Sequence, residues 1–233
     1  MTPRFMPEIT GHRSAPLSAA QFSSAYLLVA LALLMTAVGV FAGALFALPI
    51  LASGWVFFLF IAEFALILSA PAWSRNVPLN YVLFLAFPFI SGLTITPFLL
   101  SVVGAYVNGA SILLNATIAT TLLTLAAAVF ARTTTMNLGF TIGRFLFQSL
   151  IGLIVFGLLQ MFIPSLRGSS FEVVLSGFGI VIFSLFLAFD MQRLSQSEKG
   201  SSPFLLALSL YLDIFNLFLY VVRFMLAMSG ERR

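Results

Sequence analysis

The chain has 233 residues, 61% of them hydrophobic and only 8% charged, where a soluble domain carries roughly 25% charged residues. Too little polar surface is left for water to solvate, so the composition excludes a soluble globule and points to an integral membrane protein. The absence of cysteine excludes a disulfide, a thiolate metal site and a cysteine nucleophile; the net charge of +4 sits on basic residues scattered between apolar runs, where membrane topology rather than nucleic-acid binding accounts for them.

A spanning helix needs about 20 mostly apolar residues, and the chain offers seven such runs. Residues 1–22 form a polar, basic tail whose lone histidine, His12, has no metal-ligating neighbour. The run that follows is too long for a signal-peptide core, so it is read as a retained helix. The first span covers about 24–48 and ends before Pro49. The second, about 53–73, carries Glu63 in its middle and Trp73 at its end, read as an interfacial anchor. A short loop holds Arg75, Asn76 and Pro78. The third span, about 79–103, contains Pro88, Gly92 and Pro97, where kinks are expected. The fourth, about 110–131, is rich in Ala, Thr and Leu and suits close helix packing. After a loop at Arg132–Asn137 comes the fifth, about 138–162, with Arg144 near its start. A loop from Pro164 to Ser170 carries Arg167 and leads to the sixth span, about 171–194, and the seventh, about 204–227. The predicted organisation is thus a tail at 1–22, one all-α transmembrane domain at 23–228 and a short tail at 229–233.

Seven spans put the termini on opposite sides. Arg4, Arg13, Arg75, Arg132, Arg193 and Lys199 fall on the N-terminal side, against Arg167, Arg232 and Arg233 on the other, with Arg223 close to that end. The excess places the N-terminus in the cytoplasm and the C-terminus outside. Short connections make neighbouring helices antiparallel, in one helical bundle.

The last two spans flank a polar loop, SQSEKGSS, and each carries one aspartate, Asp190 and Asp213. Their numbers are symmetric about Gly200–Ser202, so a helical hairpin returns the two carboxylates to similar depth. An ionisable group inside a membrane helix costs about 2.5–3.5 kcal/mol on insertion scales and is a functional candidate by default. Two carboxylates about 4 Å apart, at an effective dielectric of about 20, repel by roughly 4 kcal/mol, so such a pair shares one proton near neutral pH. It acts as a latch that is bonded when singly protonated and repels when both groups ionise. Deprotonated, Asp190 and Asp213 offer hard oxygen ligands of the kind calcium takes. The competing reading is that each aspartate bonds a nearby helix or polar side chain.

Glu63 is either a proton or cation stop on an internal path or a protonated side chain bonded to Ser or Thr on another helix. Arg75 either reaches in to pair with Asp213 or Asp190 or snorkels as a positive-inside residue. Arg193, three residues after Asp190, is its i,i+3 partner or a similar anchor. Asn216, three residues after Asp213, hydrogen-bonds it or lines the path. Arg223 is read as an interfacial anchor. No phosphate-cradling loop, HExxH or nucleophile elbow is found, and Gly152 and Gly157 are packing glycines, since no Lys-Ser/Thr follows.

At these residues the sequence resembles the transmembrane Bax inhibitor motif proteins, bacterial members included. ALSLYLDIFNLFLYVVRF at 207–224 is similar to that family's last helix, AFDMQRL at 188–194 to the end of its sixth, and SGLTITP at 91–97, with Glu63 upstream, to its second and third helices. The resemblance implies a seven-helix fold with the last helix central, wrapped by the other six. It also implies a pH-sensitive calcium leak gated by the paired aspartates, here Asp190 and Asp213. The family's arginine near the end of the second helix can bond the last-helix aspartate; the matching position here is Ser74, with Arg75 one later and about 100° around the helix.

The function expected is a passive calcium or cation leak, with no enzymatic activity and no cofactor. Its partners are the lipid bilayer, calcium and protons, and not nucleic acid. The alternatives are a non-conducting regulator that binds other membrane proteins, such as a protease or a survival factor, and a proton-coupled cation exchanger. The short, cysteine-free chain points to a bacterial inner membrane.

Overall fold

The computed structural model describes residues 19–47, 54–135, 138–196 and 202–229. The expected N-terminal tail up to residue 18, Pro49, the turning point at Gly200–Ser201 and the C-terminal tail from residue 230 lie outside the described residues, as do Met136 and Asn137.

In hydrocarbon no water satisfies backbone N–H and C=O groups, so long apolar runs close their hydrogen bonds within helices. Seven result. They are α1 (Ala19–Ala42), α2 (Val56–Trp73), α3 (Leu79–Ala105), α4 (Gly109–Thr133), α5 (Phe140–Phe162), α6 (Ser169–Gln196) and α7 (Pro203–Ser229). A π-helical turn, Gly43–Ala47, extends α1, and a 3-10 turn, Pro164–Arg167, joins α5 to α6. Among the described residues all seven helices are long and apolar enough to cross a membrane, and no strand is present. The protein is an integral membrane protein in a lipid bilayer.

The last helix organises the packing. Buried residues of α7 include Ala207, Leu208, Leu210, Tyr211, Asp213, Leu217, Val221 and Val222; such a run covers more than one stripe of the helix, as a helix with neighbours on several sides requires. It packs against α1, α3, α4 and, most extensively, α6. The helices α2 and α5 are held further out, α2 on α3 and α5 on α6. The last helix thus lies among its neighbours, with α6 its most extensive partner.

Helices α1 and α3 cross in close contact. A Cβ added at Gly39 would stand 2.2 Å from the Phe89 carbonyl oxygen, and one at Gly92 would stand 2.2 Å from that of Thr36. Only residues without a side chain fit there, the small-residue packing that serves helices in lipid. Beside this crossing the Thr36 Oγ1 and Tyr211 hydroxyls are 2.8 Å apart, which ties α1 to α7, and Phe87 of α3 meets the Tyr211 ring edge-on.

Helix α3 continues through Pro88 and Pro97, the positions where kinks are expected. Two expectations change. The first helix begins at Ala19, inside the segment read as tail, although its apolar span starts at Ser23. Trp73 is not an interfacial anchor: it is 3% exposed, and its Nε1 donates to the Leu66 carbonyl at 3.2 Å.

Candidate functional site

Helices α6 and α7 run antiparallel, and their tight packing brings Asp190 and Asp213 together. Both are buried, each 7% exposed, and their carboxyl groups are within hydrogen-bonding reach of one another. Ser209, one turn before Asp213 on α7, donates to Asp190 Oδ2. Asp213 Oδ2 has no hydrogen-bond partner among the described residues. A buried acceptor without a donor is costly, and it leaves one carboxylate oxygen available to a proton or a cation.

The pair lines a cavity of about 1130 Å³ whose wall also includes Glu63, Arg144, Arg193 and Asn216. A second cavity, about 430 Å³, is lined by Glu63, Thr94, Asn216, Tyr220 and Arg223. The two share Phe60, Glu63, Phe215 and Asn216, so polar groups follow α7 from the aspartates towards its C-terminal end. Glu63 stands at the junction, half-buried, with Thr94 Oγ1 at 3.4 Å from each of its carboxylate oxygens. Asn216 donates to the Leu212 carbonyl at 2.8 Å, which turns its amide onto its own helix rather than onto Asp213.

The loop end of the site is closed by polar contacts. Ser202, just before α7, donates to the Ser74 carbonyl at 3.1 Å, and Asn80 Nδ2 approaches the same oxygen at 3.5 Å. Gln192 Oε1 accepts from the Leu138 amide at 2.8 Å, and Phe204 is packed edge-on by both Tyr81 and Phe84. Arg75 is exposed, whereas Ser74 beside it is 2% exposed. Arg193 is also exposed but lies within electrostatic reach of Asp190.

A family model described as inhibitor of apoptosis-promoting Bax1 matches residues 19–231. The chain belongs to the Bax inhibitor-1 family. Among its relatives is an uncharacterized protein of Campylobacter jejuni, 33% identical over 195 residues, covering 83% of this chain and 80% of the relative. One from Helicobacter pylori is 32% identical and covers 82% of this chain and 79% of its own. The plant protein LIFEGUARD 4 of Arabidopsis thaliana is 34% identical over 149 residues, 61% of this chain and 55% of its own. The Bax inhibitor-1 family thus frames the aspartate pair, and its match spans all seven helices.

One cluster in this family member was missed in the sequence. An ion pair joins Arg223 of α7 to Glu172 of α6, Nε to Oε1 at 2.5 Å. Gln160 of α5 completes it: its Oε1 accepts from Arg223 Nη2 at 3.1 Å, and its Nε2 donates to Glu172 Oε2 at 3.0 Å and to the Leu166 carbonyl at 3.0 Å. Arg223 also lies over the Tyr220 ring at 5.6 Å. Three helices are clamped at the end opposite the α6–α7 loop. An arginine read as an anchor is instead the centre of this clamp. The available signal was that Glu172 and Arg223 sit near the same ends of adjacent spans.

Proposed function

We propose that this protein is a pH-sensitive calcium leak of a bacterial inner membrane, gated by Asp190 and Asp213, with the N-terminus in the cytoplasm and the C-terminus outside. In this reading it is not an enzyme, it needs no resident cofactor, and calcium is the permeant ion. The observation that carries the reading is the placement of the two carboxylates within hydrogen-bonding reach on the wall of a cavity whose lining they share with Glu63 and Asn216.

The physical argument is as follows. Two carboxylates in contact hold one proton between them, because ionising both costs several kcal/mol of repulsion, about 4 at an effective dielectric of about 20. With that proton in place, α6 and α7 are bonded, and the contacts of Ser74, Ser202 and Asn80 keep the loop end shut. Loss of the proton sets like charges against each other and favours separation of the helices. A divalent cation stabilises the doubly ionised pair, since carboxylate oxygens are ligands that calcium accepts. Glu63 offers the next carboxylate along α7, and the Arg223–Glu172–Gln160 clamp holds the far end while the loop end moves.

The test is calcium entry into liposomes holding the purified protein, stepped from about pH 6 to about pH 8, beside Asp213→Asn. Entry that rises with pH in the wild type and ignores pH in the variant supports the gate. No entry above empty liposomes at any pH sinks the leak. The family description, an inhibitor of another protein, favours as second reading a non-conducting regulator of a membrane partner; in that case Asp213→Asn leaves partner binding intact.

A further inference from the structure

The outer helices leave a side opening. Since α2 rests on α3 and α5 on α6, neither packs closely on α7. Between them the face of α7 bearing Leu212, Asp213 and Asn216 borders the 1130 Å³ cavity. Its walls are apolar side chains from both outer helices, and they are open: Phe60 is 54% exposed, Phe64 66%, Phe147 60% and Ile151 46%. Apolar walls at this depth of a bilayer are solvated by acyl chains, because the hydrocarbon core is about 30 Å thick and holds no bulk water.

The lining changes at the loop end. Arg144 lies in the second turn of α5 and Arg193 in the last turn of α6. The two helices are antiparallel and packed together, so both arginines stand at the same end, both are exposed and both line the cavity. Gln148 lies one turn deeper on the same lining. Guanidinium groups match phosphate oxygens in charge and in their forked geometry, and basic pockets between transmembrane helices take anionic headgroups. The groove therefore has a cationic end at headgroup level and an apolar length running into the bilayer, the two halves of one amphipathic ligand.

We propose that this opening is a binding site for an anionic phospholipid, its phosphate held by Arg144 and Arg193 and an acyl chain laid between α2 and α5 across the face of α7 that carries Asp213. Charge complementarity selects the lipid class. The bound chain fills the space in front of Asp213 and Asn216, and the phosphate draws on the Arg193 charge that otherwise acts on Asp190. Membrane composition thereby becomes an input to the aspartate pair.

The site is read by binding alone, so its test stands whether or not the protein conducts. Native mass spectrometry of the detergent-solubilised full chain, titrated with phosphatidylglycerol or with phosphatidylcholine of identical chains, gives the two affinities. The expected result is at least tenfold tighter binding of phosphatidylglycerol. In R144Q/R193Q that preference falls to the phosphatidylcholine level, in R144K/R193K most of it is kept, and I151W weakens both lipids by filling the groove. Inorganic phosphate at millimolar concentration does not displace the lipid. Equal binding of the two lipids to the wild type overturns the proposal, as does an undiminished preference in R144Q/R193Q. Displacement by phosphate alone overturns the lipid in favour of a plain anion site.

Discussion

Gly92→Ala is the sharpest test of how the bundle is held. A methyl group at this position would lie 2.2 Å from the Thr36 carbonyl oxygen, 2.8 Å from the Val40 nitrogen and 2.9 Å from the Gly39 Cα. Ordinary contact begins near 3.4 Å, so α1 must retreat by about 1.2 Å. All three obstacles are backbone atoms, and no side chain can swing away. Overpacking of this kind costs about 1–3 kcal/mol, while Ala is favoured over Gly within a helix by roughly 0.8–1.0 kcal/mol. A clash with rigid backbone belongs at the upper end of the first range, which leaves a net loss of about 1–2 kcal/mol. The control is Gly104→Ala in the same helix, where an added Cβ meets nothing within 4 Å and only the helix preference acts. Equilibrium unfolding in mixed micelles with increasing sodium dodecyl sulfate compares the two. Gly92→Ala is expected to unfold at lower denaturant than wild type, and Gly104→Ala at equal or higher. If both variants match wild type, the α1–α3 crossing is looser than described and the packing argument fails.

Other expectations follow from single contacts. Arg223→Gln removes a charge-assisted bond and should lower stability by about 1.5–3 kcal/mol. Glu172→Gln in addition should recover part of that loss, and a double-mutant cycle in thermal unfolding that came out additive would show the clamp to be idle. Ser202→Ala, which deletes the bond to the Ser74 carbonyl, should cost about 0.5–1.5 kcal/mol and raise calcium entry into liposomes at acid pH; unchanged entry would separate this contact from the closed state. Arg75→Gln should leave the pH profile of that entry unshifted, because Arg75 is exposed and in no ion pair among the described residues. A shifted profile would make Arg75 a latch after all. Tyr211→Phe loses the bond to Thr36 and should destabilise the protein by about 1 kcal/mol, measured by the same unfolding titration.

Much of the fold was legible because one quantity, the length of an apolar run, decides whether a segment spans a bilayer. The seventh span was expected at about 204–227 and occupies Pro203–Ser229. The apolar span of α1 was legible, since it begins at Ser23, but the helical turn before it was not: Ala19, Ala20 and Gln21 favour helix yet stand ahead of the apolar run. The aspartate pair was legible from its symmetry about the connecting loop, which fixes depth in any antiparallel hairpin. Trp73 was not, since an aromatic at a span end reads as interfacial, whereas here the ring is buried and bonded back to the Leu66 carbonyl of its own helix. The Arg223–Glu172–Gln160 clamp lay beyond reach for another reason. Its members are 51 and 63 residues apart, and no local period links them; only the order in which α5, α6 and α7 pack brings them together.

The aspartates also bear on how the chain enters the membrane. Each alone would meet lipid at about 2.5–3.5 kcal/mol, and α6 emerges from synthesis before α7 exists to cover Asp190. Helices α6 and α7 form the most extensive pairing in the bundle and are joined by few residues, so they are suited to enter as a preassembled hairpin with Asp190 bonded to Ser209 and the carboxyl groups turned inward. The pairing proposed as a gate in the finished protein then serves first as the means by which two acidic side chains cross into hydrocarbon together.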